Sequence, residues 1–328
     1  MALTTYIDAI TSALAEEMRR DERVFLIGED VGVMGGVFKA TKGLYDEFGP
    51  DRVIDSPLAE GIIVSSCIGA ALAGMKPVAE IQFSDFVTPA MDAITQQAAK
   101  LRYRSGGTQT CPLTVRICYG GGVGGGLYHS QTNTTWFAHE PGLIVAAPGT
   151  VYDAKGMLKA ALRADDPVIY FEHKKLYRSI KEDIPDNDYV VELGKAAVRR
   201  EGTDLTAISY GYTLQLTLQA AEKLQQEKGA SVEVIDLRTL NPLDKDTLLN
   251  SVAKTNRVVI VQEDHRTLGI GSEVSAIIAE EAFECLDAPI LRVTAPDVPA
   301  IPFSPPLEKF YMPTVEKIMT ALNQVIEY

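Results

Sequence analysis

Short runs of apolar, β-branched residues with little polar alternation punctuate the first half of the chain: RVFLIG from Arg23, PVAEIQF from Pro77, LTVRICY from Leu113, LIVAAP from Leu143 and PVIYFEH from Pro167. Between several of them lie helical patterns, DFVTPAMDAITQQAAKLRYR from Asp85 and VYDAKGMLKAALRA from Val151. Strands without a polar face, separated by helices, predict a parallel sheet covered on both sides. The stretch from Lys181 to Asp204, rich in acids and turn formers, breaks this rhythm and predicts a linker. Alternation then resumes: strand LTAISYG, helix TLQLTLQAAEKLQQEKG, strand VEVIDLR, a helix near DKDTLLNSVAKT, strand RVVIVQED, helix GSEVSAIIAEEAFECL, strand ILRVTAP and a last helix from Thr314. The expected fold class is therefore α/β, with two open, mostly parallel-sheet domains over residues 1–185 and 204–328, joined by a linker at 186–203.

Length agrees with that division, since 328 residues can bury two cores. The formal charge of −13 repels phosphate backbones and anionic lipid, and no Lys/Arg run offsets it, so neither nucleic acid nor a membrane is an expected partner. Four cysteines, Cys67, Cys111, Cys118 and Cys285, form no C-x-x-C pair, which argues against a disulfide frame or a zinc site. The amphipathic start lacks the basic and apolar blocks of a signal peptide, so a cytoplasmic chain is expected, a matrix-like compartment applying only to a processed chain. GIIVSSCIGAALAGM, at 61–75, is too short to span a bilayer and predicts a buried helix.

Three stretches carry candidate chemistry. In YGGGVGGGLYHSQ, six of the seven positions from Gly120 to Gly126 are glycine, and His129 comes three residues later. Gly120, Gly122 and Gly125 meet the G-x-G-x-x-G spacing of a dinucleotide site, but the next residues, LYHSQTNTTWFAHEPG, are polar and weakly helical, whereas that site needs a helix at once. A plain surface loop is the competing reading. His129, with Tyr128, Ser130, Gln131, Trp136 and His139 nearby in sequence, suits proton transfer, while His173 and His265 read as structural.

In DSPLAEGIIV, Ser56 and Pro57 predict an N-cap and first helical residue, which puts Glu60 in the first turn. The reciprocal capping position is Ala59, so Glu60 is free either to favour the helix dipole or, partly buried, to hold a proton. The third stretch is AEIQFSDF, which offers Gln82, Phe83, Asp85 and Phe86 at a carboxyl strand end, where open α/β sheets bind ligands. Glu29 and Asp30, in GEDVG, follow the first strand in the same way.

Together GEDVGVMGGVFKATKGL, RVIDSPLAEGIIV, PVAEIQFSDF, AAKLRYRSGG, YHSQ, PGLIVAAPGTVYDAKGMLKAALRADDPVIYFEHKKLYR and VIDLRTLNPLD resemble the β subunit of the thiamine-diphosphate-dependent E1 component of 2-oxo acid dehydrogenase complexes. The resemblance covers nearly the whole chain in order; EIQFSDF and FEHKKLYR look most like the branched-chain enzymes, with pyruvate and acetoin dehydrogenases as near relatives. It implies a pyrimidine-type thiamine-diphosphate domain followed by a transketolase C-terminal-like domain. It also implies that Glu60 hydrogen-bonds the aminopyrimidine N1′ and drives its tautomerisation. Phe86 would pack on the pyrimidine, where branched-chain relatives often carry Tyr, and Glu29, Leu58 and Gln82 would complete the surroundings of the cofactor. His129 would lie near the reactive carbon and act in reductive acylation of the lipoyl group. A structural potassium ion would sit on carbonyls near Leu113, Ala161, Leu162, Ala164 and Asp166, although two of the usual residue types are changed here.

The family's diphosphate and magnesium motif, a Gly-Asp-Gly with a downstream asparagine pair, has no counterpart in this sequence. The resemblance therefore implies an E1 α subunit that holds the magnesium and the anionic half of thiamine diphosphate, in an α2β2 heterotetramer with a second β subunit and with E2 dihydrolipoyl acyltransferase as acyl acceptor. The second domain is expected to supply dimer contacts and E2 docking. A non-catalytic interaction subunit is the alternative of a different class, and a free-standing nicotinamide dehydrogenase ranks below both.

Overall fold

In a computed structural model, which describes residues 3–328, the apolar runs become the strands of two open sheets. Across the first sheet the order is Thr239–Asn241, Ile144–Ala146, Val168–His173, Thr114–Tyr119, Lys76–Ile81, Val24–Gly28 and Val53–Asp55. All neighbours are parallel except the first pair. Thr114–Tyr119 and Val168–His173 are buried at every position, which is why their sequences show no alternation.

Helix Tyr6–Arg20 begins where the Thr5 hydroxyl accepts the Asp8 N–H, and it ends on Arg19 and Arg20, as the helix dipole favours. It packs against helix Val151–Arg163, capped in the same way by Thr150, and the two cover one face of the sheet. Helix Glu60–Leu72 covers the other face with Ile63, Val64, Cys67, Ile68 and Ala71.

The second sheet runs Leu291–Ala295, Val258–His265, Leu205–Ser209, Val232–Asp236 and Ala197–Arg200, parallel except at its last strand. Helices Gly211–Lys228 and Val315–Ile326 pack on one of its faces and Lys245–Thr255 and Ile270–Glu281 on the other. The final helix starts where Thr314 accepts the Lys317 N–H.

The two domains share one core, because a single buried cluster runs from Ile63 and Ile94 through Phe171 to Ile208, Val252 and Ile278. Strand Thr239–Asn241 leaves the second domain to edge the first sheet. Arg199 pairs with both Asp153 and Asp236 across the same boundary.

Three expectations change. The segment from Asp85 is not one helix but two 3-10 turns at Ser84–Phe86 and Thr88–Ala90, a π-helical turn at Ala93–Ala98 and a short helix at Leu101–Arg104. Pro89 has no N–H to donate there, and the Ser84 hydroxyl and carbonyl are tied to Gln131 and Asn133 instead. Ser56 is not an N-cap: its N–H bonds the Gly28 carbonyl at 2.8 Å, which prolongs the strand pairing, so the helix starts at Glu60 after Ala59. Inside the stretch read as a linker, Ala197–Arg200 already forms the edge of the second sheet, and Lys181–Glu182 pairs with Thr4–Thr5. All four cysteines are free thiols, three of them buried, and among the described residues no helix is long and apolar enough to cross a membrane.

Candidate functional site

The parallel order brings together the carboxyl ends of four adjacent strands, Val53–Asp55, Val24–Gly28, Lys76–Ile81 and Thr114–Tyr119. From them project Leu58 and Glu60, Glu29, Gln82 to Phe86, and the glycine tract that leads to His129. Residues far apart in the sequence therefore meet at one sheet end, where the backbone of this fold leaves room for a ligand.

Glu29 is buried, and its Oε1 has no hydrogen-bond partner. Burial pushes its carboxyl up, and the neighbouring Glu60 and Asp30 charges push it further. The nearby Glu60 charge thus adds to burial in favouring a proton on Glu29. Glu60 itself is half-buried at the first position of its helix. Gln82 joins this pair to the next strand by donating from Nε2 to the Glu29 carbonyl at 3.0 Å. Leu58, 83% exposed, faces outward from the same segment.

His129 is exposed on its loop and meets two aromatic rings edge-on, Phe83 at 4.6 Å and Phe86 at 5.4 Å between centroids. Phe83 and Phe86 in turn meet at 5.9 Å, so the three rings form one wall. Asp85 holds the far side of the loop, accepting the Gln131 N–H at 3.3 Å on each oxygen, and burial pushes its carboxyl up. Beneath the wall, the buried Lys174 ammonium lies 5.6 Å from the Phe83 centroid and has no hydrogen-bond partner. Burial pushes that amine down to about 8, against the opposing charges of Asp85 and Glu263. The neighbouring Ser130 hydroxyl is also buried and unpartnered.

The sequence-level candidates Glu29, Glu60, Gln82, Phe86 and His129 thus gather at one end of the sheet, while Trp136 and His139 lie on the next short helix and beyond it. The dinucleotide reading of the glycines fails on its own test, because no helix begins until Thr134–Ala138. His173 is buried against Glu263 at 2.7 Å and is structural, as expected. Sequence reasoning passed over Lys174, Glu263 and Glu308. For Lys174 and Glu263 a signal existed, since Lys174 follows a strand buried at every position and Glu263 lies in the buried run of Val258–His265, and such charges are rarely left without a task.

The residues expected to hold a cation lie elsewhere. Ala161, Leu162 and Ala164 form the carboxyl end of helix Val151–Arg163, where carbonyls lack helical partners. Leu113 is brought to the neighbouring strand Val168–His173 by the 2.9 Å bond from the Val168 N–H to its carbonyl. Asp166 pairs with Arg102 at 2.6 Å beside a cleft of about 580 Å³. Among the described residues, no three His, Cys, Asp or Glu side chains gather as a metal site.

Comparison with known proteins adds an independent line. Residues 3–180 match the family model described as transketolase, pyrimidine binding domain, and residues 194–318 that described as transketolase, C-terminal domain. The chain is 52% identical over 328 residues to the 2-oxoisovalerate dehydrogenase subunit beta of Bacillus subtilis (strain 168), covering 100% of both chains. It is 48% identical, again over 100% of both, to the pyruvate dehydrogenase E1 component subunit beta of the same organism. Among solved structures, a split gene transketolase described as an inactive beta4 tetramer matches 99% of each chain with a TM-score of 0.80 at 22% identity, a likeness of fold alone.

Proposed function

Because the chain belongs to the family of β subunits of 2-oxo acid dehydrogenase E1 components, we propose that it forms half of each active site of an α2β2 enzyme that decarboxylates a 2-oxo acid and passes the acyl group to the lipoyl group of E2. A branched-chain 2-oxo acid is the first candidate substrate, supported by the 52% identity to the 2-oxoisovalerate relative. The observation that carries the reading is the pair Glu29 and Glu60, set one strand away from the Phe83, Phe86 and His129 wall.

Thiamine diphosphate supplies the electron sink for decarboxylation when bound. The residues here fit its pyrimidine half: a partnerless, buried carboxylate oxygen on Glu29, the Glu60 carboxylate beside it and aromatic faces from Phe86 and Phe83. Glu60 would offer its carboxyl to a ring nitrogen of the bound cofactor, and beside it the Glu29 carboxyl is pushed up by burial and by the Glu60 charge. Phe86 would exclude water from the face of the bound ring, and Gln82 fixes the Glu29 backbone. His129, exposed on its loop and held edge-on against Phe83 and Phe86, would handle the proton of acyl transfer. Magnesium and the anionic half of the cofactor are assigned to the α subunit, because no Gly-Asp-Gly element stands in this chain. A structural potassium ion is assigned to the carbonyl-rich end of helix Val151–Arg163, with Leu113, Ala161, Leu162, Ala164 and Asp166 around it.

Co-expression with an α chain and assay on pyruvate, 2-oxoisovalerate and acetoin tests the reading. Glu60→Gln is expected to lower 2-oxo acid decarboxylation by at least about 100-fold with the melting temperature unchanged; near-normal turnover by that variant sinks the assignment. A melting curve of the same complex that is identical in potassium and sodium buffers removes the cation.

A further inference from the structure

The glycine tract is not a free loop. Gly120, Gly122, Gly124 and Gly126 have φ of +90, +79, +72 and +66°, and the residues between them do not, so handedness alternates along the segment. Such alternation turns successive N–H groups toward one concave face, an anion-binding nest.

The second domain fills this nest with its own carboxylates. Gly122 and Gly124 donate their N–H groups to one oxygen of Glu308, at 2.9 and 3.1 Å. Gly121 donates to Glu263 Oε1 at 2.7 Å, and the same oxygen accepts the Thr132 hydroxyl at 3.0 Å. The other oxygen of Glu263 is held by His173 at 2.7 Å. Burial would push the Glu263 carboxyl up, but His173, the Gly121 N–H and Thr132 together hold it below the ordinary carboxylate range. Lys175 closes the far side, donating from Nζ to the Gly122 carbonyl at 2.9 Å. The two carboxylates come from different elements, strand Val258–His265 and helix Pro305–Tyr311.

Neither carboxylate touches the aromatic wall, yet the loop they grip delivers His129 just beyond Gly126. We propose that Glu308, with Glu263, is a positioning residue of the acyl-transfer step: the second domain grips the loop by its glycine amides and so fixes where His129 stands. This rests on the proton-handling role of His129 in acyl transfer. Charge-assisted bonds to backbone N–H groups are strong and directional, and a displacement of about 1 Å at a reacting group can cost on the order of 100-fold in rate. The left-handed backbone at Gly120, Gly122, Gly124 and Gly126 favours glycine, and at Gly120 a Cβ would also run into the His173 ring, while at Gly126 it would press on Phe303 at 3.0 Å.

The test uses the assembled α2β2 complex carrying Glu308→Ala or Glu308→Gln. Helix Pro305–Tyr311 keeps its Tyr311 and Met312 anchors, so both variants should fold, and the melting temperature verifies this. Amide exchange at Gly122 and Gly124 is expected to quicken at least about tenfold in Glu308→Ala, and less in Glu308→Gln, which keeps a neutral acceptor. Added acetate or formate should slow it again by entering the emptied nest. Lipoyl acylation should fall further than decarboxylation read with an artificial electron acceptor, and acetate should partly restore it. Unchanged exchange in Glu308→Ala overturns the grip. Quickened exchange with undiminished acylation overturns the positioning role. A control, His129→Ala, separates the two claims: if it leaves acylation intact, the His129 reading fails, while the exchange result still decides whether the carboxylates hold the loop.

Discussion

Lys174 places an ammonium in the interior with no hydrogen-bond partner, between the Phe83 ring and the charges of Asp85 and Glu263. Its amine is pushed down to about 8, whereas an unfolded lysine titrates near 10.4, so the folded chain binds fewer protons between these values. Stability therefore rises with pH from about 8 towards about 10.4, and at neutral pH the retained charge costs on the order of 3 kcal/mol. Lys174→Met, of similar volume, is expected to stabilise the complex by about 1–3 kcal/mol in urea unfolding at pH 7 and to remove that alkaline rise. A loss of stability in this variant would mean that the amine has a partner in the assembly. Single residues were legible in unequal measure: Glu60 and His129 stand beside local signals, a helix start and a glycine tract. Glu308 has no such signal, because its partners lie 184 and 186 positions away in the chain.

Strands carry a second kind of buried charge. Arg116, Glu80 and Glu172 sit on three neighbouring strands with no exposure above 3%, and Arg116 pairs with both carboxylates. Tyr177 adds its hydroxyl to Glu172 at 2.8 Å, and the Cys118 thiol lies 2.9 Å from that hydroxyl. Burial pushes the Glu80 carboxyl up even with Arg116 beside it. Arg116→Leu strands two carboxylates in the interior and is expected to cost about 3–5 kcal/mol. Each then needs a proton to stay buried, so its folded pKa lies above the unfolded value and stability falls as pH rises through that range. A melt at pH 5 should show a smaller deficit than one at pH 8, and equal deficits would mean that water reaches the triad. The strands themselves were legible because burial on both faces leaves an unbroken apolar signature. Thr239–Asn241 was not, being three residues without an apolar run, and neither was the wound segment from Ser84, whose turns answer to Gln131 and Asn133 rather than to their own periodicity.

At the scale of the molecule, helix Glu60–Leu72 is apolar nearly all round, yet only one face is covered by this chain. Its other side exposes Ile62 and Leu72, with the exposed small residues Ser65 and Gly69 permitting close approach and Leu58 adjoining. That surface starts at Glu60, where the proposed active site needs its second subunit. Ile62→Arg is expected to prevent assembly with the α chain, read by sedimentation, while the melting temperature of the isolated chain stays within about 2 °C. Complexes of undiminished size would place the α subunit elsewhere. Two rounds of strand and helix made the two domains legible in the sequence, but not their interlock, since Thr239–Asn241 pairs with a strand far upstream. That interlock governs how the chain is made. When Ile144–Ala146 leaves the ribosome, the strand that will close its open edge follows about 90 residues behind, a wait of roughly 5–20 s. For that interval the nascent sheet carries an unprotected edge, so synthesis speed between the two strands bears directly on yield, and slow codons there favour capture by a chaperone or by another nascent chain.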